Sequence, residues 1–154
     1  VGKMIGELKL SAALLAAGME VRAAESVEEL ADQSRLIVTA TSAHEPVLRA
    51  DQVRPGTHIT AMGSDDDGKQ ELDVALLGKA DRIVADSVSQ CSKYGECVHA
   101  INEGVISLDD IAELGAVVSG STDGRTSDDQ ITIADLTGVA VQDIQIAKMI
   151  ARAL

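Results

Sequence analysis

The sequence has no tryptophan, no phenylalanine and a single tyrosine, Tyr94. Nucleic-acid modules that stack bases need aromatic platforms, so that class of function is disfavoured at once. The interior must be built from Ala, Val, Ile, Leu and Met. Basic residues are scarce too: 13 Lys and Arg stand against 25 Asp and Glu, a formal net charge of −12 at pH 7. Such a surface repels phosphate backbones and anionic lipid alike, so neither nucleic acid nor membrane is an expected partner. Two cysteines, Cys91 and Cys97, are too few for a disulfide scaffold or a paired CxxC metal site. Each reads as a small core residue, and a reducing, cytoplasmic location is expected. His44, His58 and His99 show neither HxxxH nor HExxH spacing, so sequence alone indicates no metal site. No GxSxG elbow is found, and no apolar run approaches the ~18 residues of a membrane span. Residues 11–17 have the composition of a signal-peptide core, but Glu7 falls where a basic leader belongs.

What is present is a chain of 154 residues, 45% hydrophobic, enough for about one domain with its own core. Residues 4–17 are apolar around much of a helical circumference and stop at Gly18, a good residue to follow a helix. A short strand is predicted over 20–24. Ser26 with Glu29 forms a capping box that opens a helix running to about Gln33. Residues 35–41 are a nearly continuous β-branched and apolar run, which predicts a parallel strand covered on both faces. Strands over 58–62, launched by the turn Arg54-Pro55-Gly56, and over 82–86 follow, with a helix at 71–77 between them. Helices at 97–102 and 108–118, a polar loop at 119–129, a strand at 131–136 and a helix at 139–154 complete the chain. Strands alternating with helices at these spacings predict βαβ units: an α/β fold with a parallel sheet and flanking helices.

In such sheets ligands bind beyond the carboxyl ends of the strands, so the residues leaving each strand are the ones to inspect. Thr39-Ala40-Thr41-Ser42 is a set of small side chains that would let a flat ligand approach the backbone, although an ordinary polar strand end looks the same. Gly63-Ser64-Asp65-Asp66-Asp67-Gly68-Lys69 matches GxxxxGK. The match fails chemically, since Gln70 stands where Ser or Thr would hold Mg²⁺ and three carboxylates would face the phosphates. It fails as a calcium loop as well, with Gly63 at the first ligand position and Val74 in place of the bidentate Glu. What remains is either a solvated acidic turn or a carboxylate beside Lys69. Such a carboxylate works as general acid or base where partial burial raises its pKa, while Lys69 orients a ligand anion. In Gly124-Arg125-Thr126-Ser127-Asp128-Asp129, Arg125 suits a carboxylate or phosphate, and Ser127 or Asp129 suits a cap.

Several short motifs then line up in order. They are Val38-Thr39-Ala40-Thr41-Ser42, Pro46-Val47-Leu48, Pro55-Gly56-Thr57-His58-Ile59, Gly63-Ser64-Asp65, Gly68-Lys69-Gln70-Glu71-Leu72, Gly95-Glu96, Glu113-Leu114-Gly115 and Gly124-Arg125-Thr126-Ser127-Asp128-Asp129-Gln130-Ile131-Thr132, with the segment from Asp135 to Asp143. Over roughly residues 19–152 this set closely resembles the ornithine cyclodeaminase/mu-crystallin family. The resemblance implies a Rossmann-type domain that binds NAD or NADP, and hydride exchange between the nicotinamide ring and the α-carbon of a small amino or imino acid. By the same resemblance Asp65 is the acid/base near the α-nitrogen, and Thr39, Ala40, Thr41, Gly63, Ser64, Lys69 and Ser127 line the cofactor. A homo-oligomer is implied as well. Mu-crystallin supplies the alternative of a non-catalytic protein that holds NADPH and a ligand.

The sequence departs from that family at its start. No GxGxxG turn occurs, Val1-Gly2-Lys3-Met4-Ile5-Gly6 follows no strand, and family members are about twice as long as this chain, by the resemblance. The first strand, the glycine-rich turn and the amino-terminal segment for dimer and substrate contacts are therefore expected to lie outside these residues, leaving an incomplete Rossmann-like sheet. With the usual strand order 3-2-1-4-5-6, the strand at 36–41 would then be an open edge through which the isolated chain self-associates. Without the turn that cradles the pyrophosphate, the chain alone is expected to bind NAD(H) poorly.

Overall fold

The helix opened by Ser26 starts where the sequence places it. Ser26 Oγ accepts the N–H of Glu29 at 3.1 Å, and the Glu29 carboxylate reaches back to the N–H of Glu25 at 2.7 Å, opening α1 (Val27–Gln33). The computed structural model describes Gly18 and residues 22–153. The expected helix at 4–17 and the first residues of the expected strand at 20–24 lie outside these, and residues 22–24 are not in a strand.

Among the described residues five strands form one parallel sheet: β1 (Leu36–Thr39), β3 (His58–Ala61), β5 (Arg82–Ala85), β6 (Ile111–Glu113) and β7 (Thr132–Asp135). Their order is β1-β3-β7-β5-β6, so the last strand in sequence sits in the middle. The register aligns one isoleucine from every strand, Ile37, Ile59, Ile133, Ile83 and Ile111, in a single row across the sheet. All five are buried, and burying each stabilises the fold by roughly 1.5–3 kcal/mol. This row belongs to the same core as Leu48, Val53, Leu72, Leu76, Leu77 and Ala100.

The opposite face differs from expectation. The sequence predicts strands covered on both sides, but burial alternates along β1, β3 and β5, and Leu36 and Val38 of β1 are exposed. Among the described residues, β1 and β6 are the sheet edges.

Two other expectations are corrected. The helix predicted from 71 begins later, as α2 (Val74–Lys79), because Asp73 caps it by accepting the Ala75 N–H at 3.1 Å. The residues before the cap instead form β4 (Gln70–Leu72), which pairs in parallel with β2 (His44–Leu48) as a second small sheet. The helix predicted at 108–118 divides into a 3₁₀ turn (Leu108–Asp110), β6 and α5 (Leu114–Val118). Pairing of Ile111 beside Ile83 outweighs the local helical pattern there. The remaining helices are α3 (Val88–Cys91), α4 (Cys97–Asn102) and α6 (Ala140–Ala153). Among the described residues no helix is long and apolar enough to cross a membrane.

Candidate functional site

Parallel strands bring all their carboxyl ends to one side of the sheet. Thr39, Ala40 and Thr41 leave β1 there beside Gly63, Ser64 and Asp65, which follow β3. Buried Glu71 of β4 ties the two exits together. Its Oε1 accepts the Thr41 N–H at 2.5 Å, and its Oε2 accepts the Thr39 hydroxyl at 2.7 Å and the Gly63 N–H at 2.9 Å. Only glycine permits this approach, since a Cβ on residue 63 would lie 2.5 Å from both Glu71 Oε1 and the Thr41 nitrogen.

The loop beyond Gly63 closes on itself. The Ser64 hydroxyl donates to the Lys69 carbonyl at 2.7 Å, and His99 Nε2 hydrogen-bonds to the same carbonyl at 2.7 Å. Lys69 Nζ donates to Asp65 Oδ1 at 2.5 Å. The Asp65 side chain is 55% exposed and that of Lys69 is 23% exposed. Burial therefore does not raise the Asp65 pKa, as sequence reasoning required of an acid/base there. The bond from Lys69 and its charge hold the carboxyl below its ordinary value, and Asp65 in turn raises the Lys69 ammonium. Asp65 stands as a carboxylate with one oxygen, Oδ1, taken up by Lys69. It forms the rim of a cleft of about 200 Å³ at the carboxyl ends of β3 and β7, lined also by Met62, Leu136, Thr137, Gly138 and Gln142.

Two more buried acids stand behind Glu71. Glu96 accepts the N–H of Glu71 on Oε1 and that of Leu72 on Oε2, both at 2.8 Å. Asp135 Oδ2 accepts the N–H of Glu96 at 3.0 Å and of Cys97 at 2.9 Å. The backbone amide of each acid is thus held by the carboxylate of the next. Burial pushes Glu96 up to about 7 against the pull of its two N–H donors, and raises Asp135 also. Gly95 has φ +82°, and a Cβ there would sit 2.7 Å and 2.8 Å from the two Asp135 oxygens. Both thiols are buried. Burial raises Cys91 to about 12, with the Asp135 charge adding to it, and raises Cys97 as well, so they remain neutral core residues as expected.

A sequence model of the ornithine cyclodeaminase/mu-crystallin family matches residues 6–154. The chain belongs to this family. It is 46% identical over 128 residues to alanine dehydrogenase of Archaeoglobus fulgidus, covering 81% of this chain and 39% of the relative. It is 44% identical to iminosuccinate reductase of Paracoccus denitrificans, covering 96% of this chain and 45% of the relative. The crystal structure of that reductase in complex with NAD+ superposes with a TM-score of 0.82, over 90% of this chain and 42% of the reductase. Thermococcus litoralis Delta(1)-pyrroline-2-carboxylate reductase, in complex with NADH and L-proline, gives a TM-score of 0.81 at 32% identity, over 88% and 42% of the two chains. The chain thus spans less than half the length of the relatives it matches.

Within this ornithine cyclodeaminase/mu-crystallin chain the expected residues meet at one sheet end, with one exception. Ser127 lies in the loop entering β7, at the amino end of the sheet and away from Asp65. Its N–H donates to Gln130 Oε1 at 3.3 Å, and its carbonyl accepts Arg125 Nε at 3.0 Å. Arg125 Nη2 donates to the carbonyls of Gly56 and Asp128 at 3.0 Å and 2.6 Å, so this arginine clamps backbone. The hydroxyls of Thr39 and Ser64 are also engaged inside the protein. These residues offer small size and backbone to a ligand, rather than free hydroxyls.

Sequence reasoning missed Thr137 and Gly138 in the cleft, and the buried acids Glu71, Glu96 and Asp135. Asp135 did leave a signal, a carboxylate within the apolar run from Ile131 to Leu136, where charge is rare unless paired.

Proposed function

We propose that this chain is a partial NAD(P)-binding Rossmann-type domain of an oxidoreductase or cyclodeaminase. The reaction is exchange of hydride with the α-carbon of a small amino or imino acid, and Asp65 is the acid/base. The observation that carries this reading is the ionised Asp65, paired with Lys69, at the rim of a cleft beyond the two central strands, where open α/β sheets bind ligands. The cleft suits the nicotinamide end of the cofactor: Met62 and Leu136 give it apolar walls, and Gly138 leaves room beside Thr137. Among the described residues no GxGxxG turn accompanies it. Relatives solved with NAD+ or NADH support the choice of cofactor.

When bound, the nicotinamide supplies the hydride acceptor or donor. The chain supplies proton handling. Asp65 takes a proton from the α-nitrogen or from water and returns it in the reverse direction, and Lys69 keeps the carboxylate ionised until then. Ala40, Thr41 and Gly63 would be among the small residues that line the cofactor, and a homo-oligomer is supported by the archaeal alanine dehydrogenase dimer. The acidic, cysteine-poor composition favours the cytoplasm.

The test is Asp65→Asn in the protein carrying this chain, followed by nicotinamide absorbance with small amino and imino acids. Turnover is expected to fall by roughly 10²–10⁴ with cofactor affinity nearly intact. Near-normal turnover would remove Asp65 from the chemistry. Unaltered absorbance with every substrate tried, while cofactor still binds to the unsubstituted protein, would point to a non-catalytic NADPH- and ligand-binding protein of the mu-crystallin type.

A further inference from the structure

Glu71 lies outside the lining of the cleft and is 0% exposed, yet three donors from two strand exits converge on it. Burying a carboxylate is costly, and an aliphatic residue would fill the same space in a core made almost wholly of aliphatics. What a carboxylate provides there is two oxygens at fixed spacing, each able to hold a different chain segment. Oε1 holds β1 through Thr41, and Oε2 bridges β1 and the exit of β3 through Thr39 and Gly63. The bond to Gly63 also closes the neck of the loop that carries Asp65, because residues 63 and 71 stand on either side of it.

Within that neck the loop also carries bonds of its own. Ser64 bonds to Lys69 and Lys69 bonds to Asp65, so these contacts travel with the loop and do not fix where it stands. Its placement against the sheet depends on the neck, on His99, on His44, whose Nδ1 hydrogen-bonds to the Gly68 carbonyl at 2.8 Å, and on the Gln70 N–H, which donates to the Ala43 carbonyl at 2.9 Å. The neck has a continuous anchor: the Glu71 amide is held by Glu96, whose amide is held by Asp135 of β7. The residues immediately after Asp135 form the far wall of the cleft. One path of buried acids therefore runs from that wall to the neck of the Asp65 loop.

We propose that Glu71 is the positioning residue for Asp65, setting through Gly63 the distance between the Asp65 carboxylate and the β7 wall of the cleft. The proposal rests on the reading of Asp65 given above.

The experiment compares Glu71→Gln, Thr39→Val and Asp65→Asn in the protein carrying this chain. Glutamine keeps the shape but turns an N–H₂ toward a backbone N–H that needs an acceptor. Since a misplacement of about 1 Å can cost roughly 10²-fold in rate, Glu71→Gln is expected to lower kcat by that order. Substrate KM and cofactor Kd should hold steady. Amide exchange at Thr41 and Gly63 should quicken, and the acid limb of the pH–rate profile should stay in place, because the Asp65–Lys69 pair travels with the loop. Thr39→Val removes the hydroxyl and spares both N–H bonds, so its fall in kcat should be smaller, with KM again unchanged. Wild-type kcat in Glu71→Gln, beside an inactive Asp65→Asn, would overturn the role of Glu71 and leave that of Asp65 standing. An active Asp65→Asn would overturn the underlying reading. Parallel loss of kcat, KM and melting temperature in Glu71→Gln would show support of the fold alone, against the proposal. Should Glu71→Gln not fold, Thr39→Val decides: wild-type kcat refutes the proposal, and a lower kcat at constant KM upholds it.

Discussion

The two ends of the sheet solve one problem with opposite chemistry. At the carboxyl end, buried Glu71, Glu96 and Asp135 collect backbone N–H groups from strands and loops. At the amino end, exposed Arg125 collects the carbonyls of Gly56, Ser127 and Asp128, and Gly56 N–H donates to the Asp129 carbonyl at 2.8 Å. Water can replace the arginine when it is removed. Nothing replaces a buried carboxylate, whose donors would be left unpaired in an aliphatic interior. The end that carries the site is thus held by bonds that are expensive to lose, and the other end by bonds that are cheap.

Removing Asp135 should break this contrast most severely. Asp135→Ala leaves the N–H groups of Glu96 and Cys97 without an acceptor, for an expected loss of about 2–5 kcal/mol in urea unfolding. A loss under about 1 kcal/mol would mean that the acid path contributes no more than a surface contact.

The ends should also respond oppositely to pH. Glu96 is raised in the folded state to about 7 from 4.5. The native protein therefore binds the extra proton between these values, and stability falls as pH rises through that window, by an amount on the order of 3 kcal/mol. His58, near the amino end, is lowered by its burial and by Arg125. Its unfolded form binds the extra proton just below pH 6.5, so its contribution rises with pH. Urea midpoints from pH 4.5 to 7 should fall in the unsubstituted protein, and in Glu96→Gln the fall should shrink or reverse. A profile unchanged by Glu96→Gln would reject the assignment.

Arg125→Ala should be milder, about 0.5–1.5 kcal/mol, because its bonds are exposed to solvent. A cost matching Asp135→Ala would erase the distinction between the ends. The smallest effect concerns the thiols. With Cys91 pushed up to about 12 and both sulfurs buried, iodoacetamide at neutral pH should label neither residue in the native protein and both in urea.

Much of the sheet was legible because its strands are apolar runs with the right punctuation. The strands at 36, 58, 82 and 132 and the Ser26 cap appear where the sequence puts them. β2 and β4 were not legible, since Pro46 argues against a strand at β2 and Glu71 gives β4 the pattern of a helix start. β6 was hidden because a three-residue strand has too little pattern of its own and exists through its partner Ile83. Asp65 stood out as one of three carboxylates following a recognisable strand, and the family resemblance singled it out among them. Glu71 could not, because its three donors lie up to 32 residues away and nothing local distinguishes a buried acid from a solvated one. Ser127 was marked by the family resemblance alone, its local pattern being that of a cap, and it lies in the loop entering β7.

Among the described residues the middle strand of the sheet is also the latest in sequence. β7 lies between β3 and β5, yet a ribosome releases both of those strands well before residue 132. Until then the nascent chain has two apolar strands with open inner edges, the arrangement most prone to pairing with a neighbour. The acid path is equally late, because Asp135 is its terminus. The cleft walled by Leu136, Thr137 and Gly138 therefore cannot form on a growing chain before β7 has entered the gap between β3 and β5.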